Sequence, residues 1–136
     1  MNSPTYYIAK PNQYGGLVFG VEKVTDAEEE FLALWQQHWD ETEVLYLDDR
    51  MNPDTQAMRI YEAAGSLVII TARDAETGQL VGDAAYFIGP NLHVLGTTIA
   101  KEDAFFMLSE YRNGRNAVKL LAYAEYILSE KLRIDY

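Results

Sequence analysis

A chain of 136 residues with 49% hydrophobic and 24% charged content is long enough to bury one core, too short for two, and too apolar to be disordered. It has no cysteine, which excludes disulfides and thiolate metal sites. No apolar run nears the ~20 residues that span a bilayer, and Met1-Asn2-Ser3-Pro4 lacks the basic-then-apolar start of a secretory signal, so a cytoplasmic protein with no membrane contact is expected.

The net charge of −10 argues against nucleic acid as a partner, because phosphate contacts need a basic surface. The charge is also unevenly spread. Between Val21 and Asp54 carboxylates are opposed only by Lys23 and Arg50, whereas Arg112, Arg115, Lys119, Lys131 and Arg133 outnumber the acids of the last stretch. Such a division suits a cationic acceptor at one end and an anionic cofactor at the other. A solvated acidic helix face explains the first half equally simply.

One continuous domain over 1–136 is expected. Residues 1–16, with Pro4, Pro11 and Gly15-Gly16, read as an irregular lead-in. Leu17–Val21 is a short apolar strand. Thr25-Asp26-Ala27-Glu28 has the form of a capping box, and Ala27, Phe31, Leu34 and Trp35 behind it share one face of a helix running to about Asp40. Asn52-Pro53 predicts a second helix, with Ala57, Ile60, Tyr61 and Ala64 as its apolar side and Gly65 as its left-handed stop. Leu67–Ala72 is apolar throughout and reads as a strand covered on both faces. Glu76–Gln79 is a turn, and Leu80–Ile88 is the partner strand, ended by Gly89-Pro90-Asn91. Leu92–Ile99 is read as extended, leading to a short strand Asp103–Leu108. Ala117, Leu120, Leu121, Ala124, Ile127 and Leu128 then form one apolar helical stripe. The expected fold class is mixed α/β or α+β, helices packed on a largely antiparallel sheet.

The chemistry concentrates in Leu108–Ala117. A helix N-terminus presents unpaired N–H groups and the positive end of the helix dipole. Gly114 and Ala117 keep the backbone accessible there, and Arg112 and Arg115 add two permanent positive charges. Such a turn suits a pyrophosphate, although two arginines capping a solvated loop would read the same way.

The stretch Asp103–Leu121 resembles the strand–turn–helix signature of the GNAT N-acetyltransferase superfamily: the apolar strand, Tyr111-Arg112, Ala117 and Leu120-Leu121 fall in step with it. Ala63–Leu67, Leu80–Gly82 and His93 resemble a subgroup encoded by bacteriophages. The resemblance implies that 103–128 is the coenzyme-A-binding unit, with Leu108, Arg112, Asn113, Gly114, Arg115, Asn116 and Ala117 as cofactor-binding residues. It implies acetyl-CoA as cosubstrate, no metal, and an amine acceptor, either a small molecule or a protein lysine or N-terminus. Arg115 stands where most members have glycine. The family normally continues with a fifth strand, a helix and a hairpin. Here the sequence stops at Arg133–Tyr136, where the fifth strand would begin, and the residue that protonates the leaving thiolate has no counterpart. That leaves the Asp103–Leu108 edge open, and self-association or another protein covering it is expected.

Deprotonating an amine requires a base. Glu102 and Asp103, at the start of that strand, and His93 are the candidates. A surface-exposed strand start, and a half-buried histidine, are the plain alternatives. His38, Trp35 and Trp39 read as helix packing, and Tyr6, Tyr7 and Tyr14 could mark an interaction surface. Three functions remain open: acetyl transfer, a non-catalytic protein of this fold serving as a virion component or inhibitor, and an acidic mimic of nucleic acid.

Overall fold

A computed structural model describes residues 12–42 and 51–136. Most of the lead-in, with Tyr6 and Tyr7, lies outside them. Five antiparallel strands form one sheet in the order β1 (Gln13–Tyr14), β2 (Leu17–Glu22), β3 (Leu67–Asp74), β4 (Leu80–Pro90) and β5 (Thr98–Met107). Helices α1 (Val24–Thr42) and α2 (Thr55–Ala63) intervene between β2 and β3. After β5 come a 3₁₀ turn (Ser109–Tyr111), α3 (Asn116–Tyr126) and a wider helical turn over Ile127–Lys131. No helix among the described residues is long and apolar enough to cross a membrane. Nor do they contain a cluster of His, Asp or Glu placed to hold a metal.

The continuous apolar run of β3 predicts burial on both faces, and Ile69, Ile70, Thr71 and Ala72 are all buried. Phe31 and Leu34 of α1 pack on one side of the sheet, Leu120, Tyr123, Ala124 and Ile127 on the other. The α3 stripe is therefore real but rotated. Leu121 is exposed and Tyr123 takes its place in the core, its ring tilted against Phe19 at 5.6 Å.

Three local expectations need correction. The second helix begins two residues later than Asn52-Pro53 suggests, because Asp54 Oδ1 accepts the Ala57 N–H at 2.9 Å and serves as the cap. Its expected apolar side fails: Ile60, Tyr61 and Ala64 are exposed, and Glu62 is buried instead. Glu62 reaches across to α1, where its Oε2 accepts the Val24 N–H at 2.5 Å. A distant carboxylate thus holds the opening turn of α1, which a non-helical Ala27 (φ −144°, ψ 35°) separates from the rest of the helix, and Glu28 pairs with Arg59. Gly65 does end α2 at φ +76°, with the Ser66 N–H closing on the Tyr61 carbonyl. Finally, Leu92–Thr97 is a turn, held by the Asn91 side chain accepting the His93 N–H at 3.0 Å and by Gly96 at φ +82°. The strand after it starts at Thr98 and is far longer than the sequence indicates.

A buried ion pair fastens the first half together. Arg73 of β3 donates to both oxygens of Glu22 on β2, at 2.7 and 2.9 Å, and also to Glu30 of α1 and the Gly78 carbonyl. The Thr71 hydroxyl completes Glu22 at 2.5 Å. These bonds raise the Arg73 pKa further above its ordinary value.

Replacing Glu62 with Ala removes the α1 cap and should cost about 1–2 kcal/mol in urea unfolding, whereas Thr25→Ala should cost under about 0.5 kcal/mol. In the same assay Leu120→Ala should lose about 2–5 kcal/mol and Leu121→Ala less than about 1 kcal/mol.

Candidate active site

The site grows from an irregularity in β5. Ala104 pairs with Ala85 and Glu102 with Tyr86, so Asp103 is an extra residue with no partner on β4. The hydrogen bonds show the consequence. The Ala100 N–H points away from β4, toward the Tyr136 carbonyl, whereas the Leu108 N–H points inward to Val81. Two even-numbered residues of a regular strand would point the same way, so the bulge inverts the alternation. It also turns Asp103 into a cavity.

That cavity, about 460 Å³, lies between the sheet and the first two helices. Trp35, His38 and Trp39 of α1 form one wall. Met51, Asn52, Pro53 and Met58 form another, and Leu67, Ile69, Ala85, Asp103 and Ala104 form the floor. Behind Trp35 lies Asp83 of β4, completely buried. Its Oδ2 accepts the Trp35 indole N–H at 2.7 Å, and its Oδ1 has no partner among the described residues. Burial pushes the Asp83 carboxyl up to about 7; the indole hydrogen bond opposes the rise and the charge of Asp103 adds to it.

A second, smaller cavity, about 260 Å³, continues along β5. It is lined by His38, Glu41, Phe105, Phe106, Met107, Arg112 and Ala117. His38 belongs to both cavities, its ring stacked on Phe106 at 4.6 Å and 9°. The two spaces share His38 and lie along β5 between Asp103 and the start of α3. Gly82 sits where β4 and β5 close up, and a Cβ there would lie in tight contact, 3.1 Å from the Phe106 carbonyl oxygen.

The turn before α3 is tied down by side chains. The Tyr111 hydroxyl donates to Asp74 at 2.7 Å, anchoring the turn to the end of β3 and lowering the Asp74 pKa. Asn116 Nδ2 donates to the Tyr111 carbonyl at 2.8 Å, Asn113 Nδ2 donates to the Glu110 carbonyl, and Gly114 sits at φ +56°. No side chain caps α3, whose first turn is left available to an anion. Arg115, directly before it, is exposed and forms no ion pair among the described residues.

The other expected residues divide. Arg112 is committed: its Nε donates to the Met107 carbonyl at 2.6 Å, its Nη2 to Glu41 at 2.6 Å, and it lies over Phe106. Leu108 is core, 3% exposed. Ala117 borders the smaller cavity. Of the candidate bases, only Asp103 faces a cavity. Glu102 lies across from Tyr86 and contributes to raising that phenol's pKa. His93 is exposed in the β4–β5 turn, five residues before Thr98 reaches Asp103 by strand, roughly 16 Å or more away along β5. Asp83 was not anticipated; a lone charged residue between Gly82 and Ala84 in an apolar strand was the available sign. His38 and Trp39 were assigned to packing, yet both line the cavity.

The fold is that of the GNAT acetyltransferases. An aminoglycoside acetyltransferase from an uncultured soil metagenomic sample, crystallised with trehalose, superposes with TM-score 0.67 at 11% identity, over 85% of this chain and 72% of that one. A ribosomal-protein-alanine N-acetyltransferase from Brucella melitensis biovar Abortus 2308 gives 0.68 at 17% identity, over 89% and 76%. A predicted acetyltransferase from Clostridium acetobutylicum, solved with acetyl-CoA, gives 0.62 at 15% identity, over 87% and 76%. No family model and no curated protein matches the sequence.

The buried Asp83 has a measurable signature. Its folded pKa lies above the unfolded value of about 3.9, so the charged form opposes folding. The penalty is absent below about pH 4, grows as pH rises toward 7, and is complete above it. Asp83→Asn keeps an acceptor for Trp35 and removes the titration. Between pH 5 and 8 the variant's stability, relative to the parent protein, should rise by roughly 2–3 kcal/mol in urea unfolding.

Proposed function

We propose that the chain is an N-acetyltransferase that moves the acetyl group of acetyl-CoA to an amine, and that it belongs with the phage-encoded members of the superfamily. The observation that carries this reading is the pair of cavities along β5 that share His38. The smaller is bordered by Ala117 in the first turn of α3, which no side chain caps, and the larger by Asp103.

In this reading the α3 amides and Arg115 take the pyrophosphate of coenzyme A, and the rest of the cofactor follows the smaller cavity toward the bulge. Asp103 takes a proton from the acceptor's ammonium group. The neutral nitrogen attacks the thioester carbonyl, whose developing negative charge a backbone N–H of the bulge stabilises. The C–N bond forms, the C–S bond breaks, the nitrogen's second proton passes to the departing thiolate, and coenzyme A leaves as the free thiol. The products are the N-acetylated amine and coenzyme A.

A second reading, a non-catalytic protein of this fold whose open β5 edge serves a partner, is favoured by one observation. Arg112 is already satisfied by Glu41 and Met107, which leaves the anion site one cation short of what the sequence suggests.

Calorimetry separates the two. Coenzyme A should bind, and Arg115→Ala should weaken it about tenfold or more while pantetheine binding stays unchanged. Release of free thiol from acetyl-CoA should then depend on an added amine. Failure of coenzyme A to bind, or equal loss for both ligands, supports the non-catalytic reading.

A further inference from the structure

The acceptor cavity has a composition that restricts what can occupy it. Among the described lining residues there is no lysine or arginine, and apolar or aromatic side chains make most of the surface. Trp35 and Trp39 stand one helical turn apart on α1, so both indoles border the same space. Asp103 is the one carboxylate among the described lining residues, placed there by the bulge. The volume, about 460 Å³, lies within the ordinary range for small-molecule sites.

We propose that this cavity takes a primary amine carried on an apolar, preferably aromatic, body, in preference to an amino sugar, an amino acid or a peptide N-terminus. This deepens the acetyl-transfer reading and rests on it only for the reaction, not for the binding. The ammonium end sits against Asp103, at the bulge where the acetyl group is delivered. The body lies against the tryptophan faces, where ring stacking and cation–π attraction both act. Trp35 suits this role for a further reason. Its N–H is bound to the Asp83 carboxyl, which draws the proton away from the ring and leaves its face electron-rich.

The same surface rejects the alternatives. Each hydroxyl of an amino sugar entering here exchanges water for an apolar wall and goes unpaired. An amino acid carboxylate or a sugar phosphate meets Asp103 with no lysine or arginine among the described lining residues, and like charges at close range repel. A peptide brings amide groups that the wall cannot satisfy. The two structural relatives whose names include an aminoglycoside and a ribosomal-protein alanine therefore share the fold without predicting this acceptor.

The test is calorimetric and needs no cofactor. Titrate 2-phenylethylamine, glucosamine 6-phosphate, sisomicin and an alanyl peptide with a free N-terminus into the full chain, and coenzyme A into a separate sample. Repeat the first titration with Trp39→Ala and Asp103→Asn, whose folding is checked by thermal unfolding; Asp103 is exposed and Trp39 lies outside the buried core. The proposal expects 2-phenylethylamine to bind more tightly than the other three amines, and each substitution to weaken it about tenfold or more. It is overturned if 2-phenylethylamine fails to bind at millimolar concentration, if any of the other amines binds as tightly, or if either substitution leaves binding unchanged. Coenzyme A is read independently. Amine binding without coenzyme A binding sinks the acetyl-transfer reading and leaves this one standing; the reverse pattern does the opposite.

Discussion

The hydrogen bond from the Trp35 indole to Asp83 joins α1 to the middle of the sheet at a depth solvent does not reach. An apolar pair of similar size would hold the same two elements together at less cost, because burying a carboxyl with one oxygen unpartnered is unfavourable. What the bond adds is orientation. Trp35 also stacks on Phe31 at 5.2 Å, so its ring is fixed from one side by packing and at its edge by the carboxyl. That fixes the wall of the larger cavity, and one turn further along α1 it fixes His38 over Phe106 and Glu41 beside Arg112.

The second constraint is the bulge in β5. Without the extra residue, the strand would keep its alternation and Asp103 would lie on the other face. With it, the open side of β5 carries a carboxylate, displaced backbone and a cavity wall in the space of three residues. The C-terminal residues respect this division. Asp135 and Tyr136 pair with Thr98 and Ala100, in the parallel sense, and reach β5 before the bulge. Arg133, at φ +56°, makes the reversal that brings them there. Among the described residues, the C-terminal segment covers the start of β5 at Thr98–Ala100, and no strand pairs with Asp103–Met107 on its outer side.

Much of this architecture is legible in the sequence because it is written locally. The apolar run Leu67–Ala72 announces a doubly covered strand, Gly65 and Gly78 mark real chain reversals at positive φ, and the α3 stripe identifies the helix. The failures are non-local. Nothing near Val24 reveals that its cap is Glu62, and nothing near Ile60 and Tyr61 reveals that a buried carboxylate has taken their face. The site shows the same split. The Leu108–Ala117 turn was readable from spacing, since glycine, arginine and a helix start follow in sequence. The aromatic cavity was not, because it needs Trp35, Asp83 and Asp103 brought together across two helices and three strands. Arg112 shows a subtler limit: the sequence offers it as a cation for an anion site, and its partner, Glu41, lies 71 residues away.

The proposed meeting place of cofactor and acceptor is the pair of cavities along β5, between Asp103 and the start of α3. The most direct test is a titration of coenzyme A into isotopically labelled protein, followed by amide chemical shifts. The account predicts changes concentrated at Asp103–Met107, His38 and Asn113–Ala117, with His93 and Gly65 unmoved. Changes centred on the β4–β5 turn or on α2, with β5 and the α3 start silent, would contradict it.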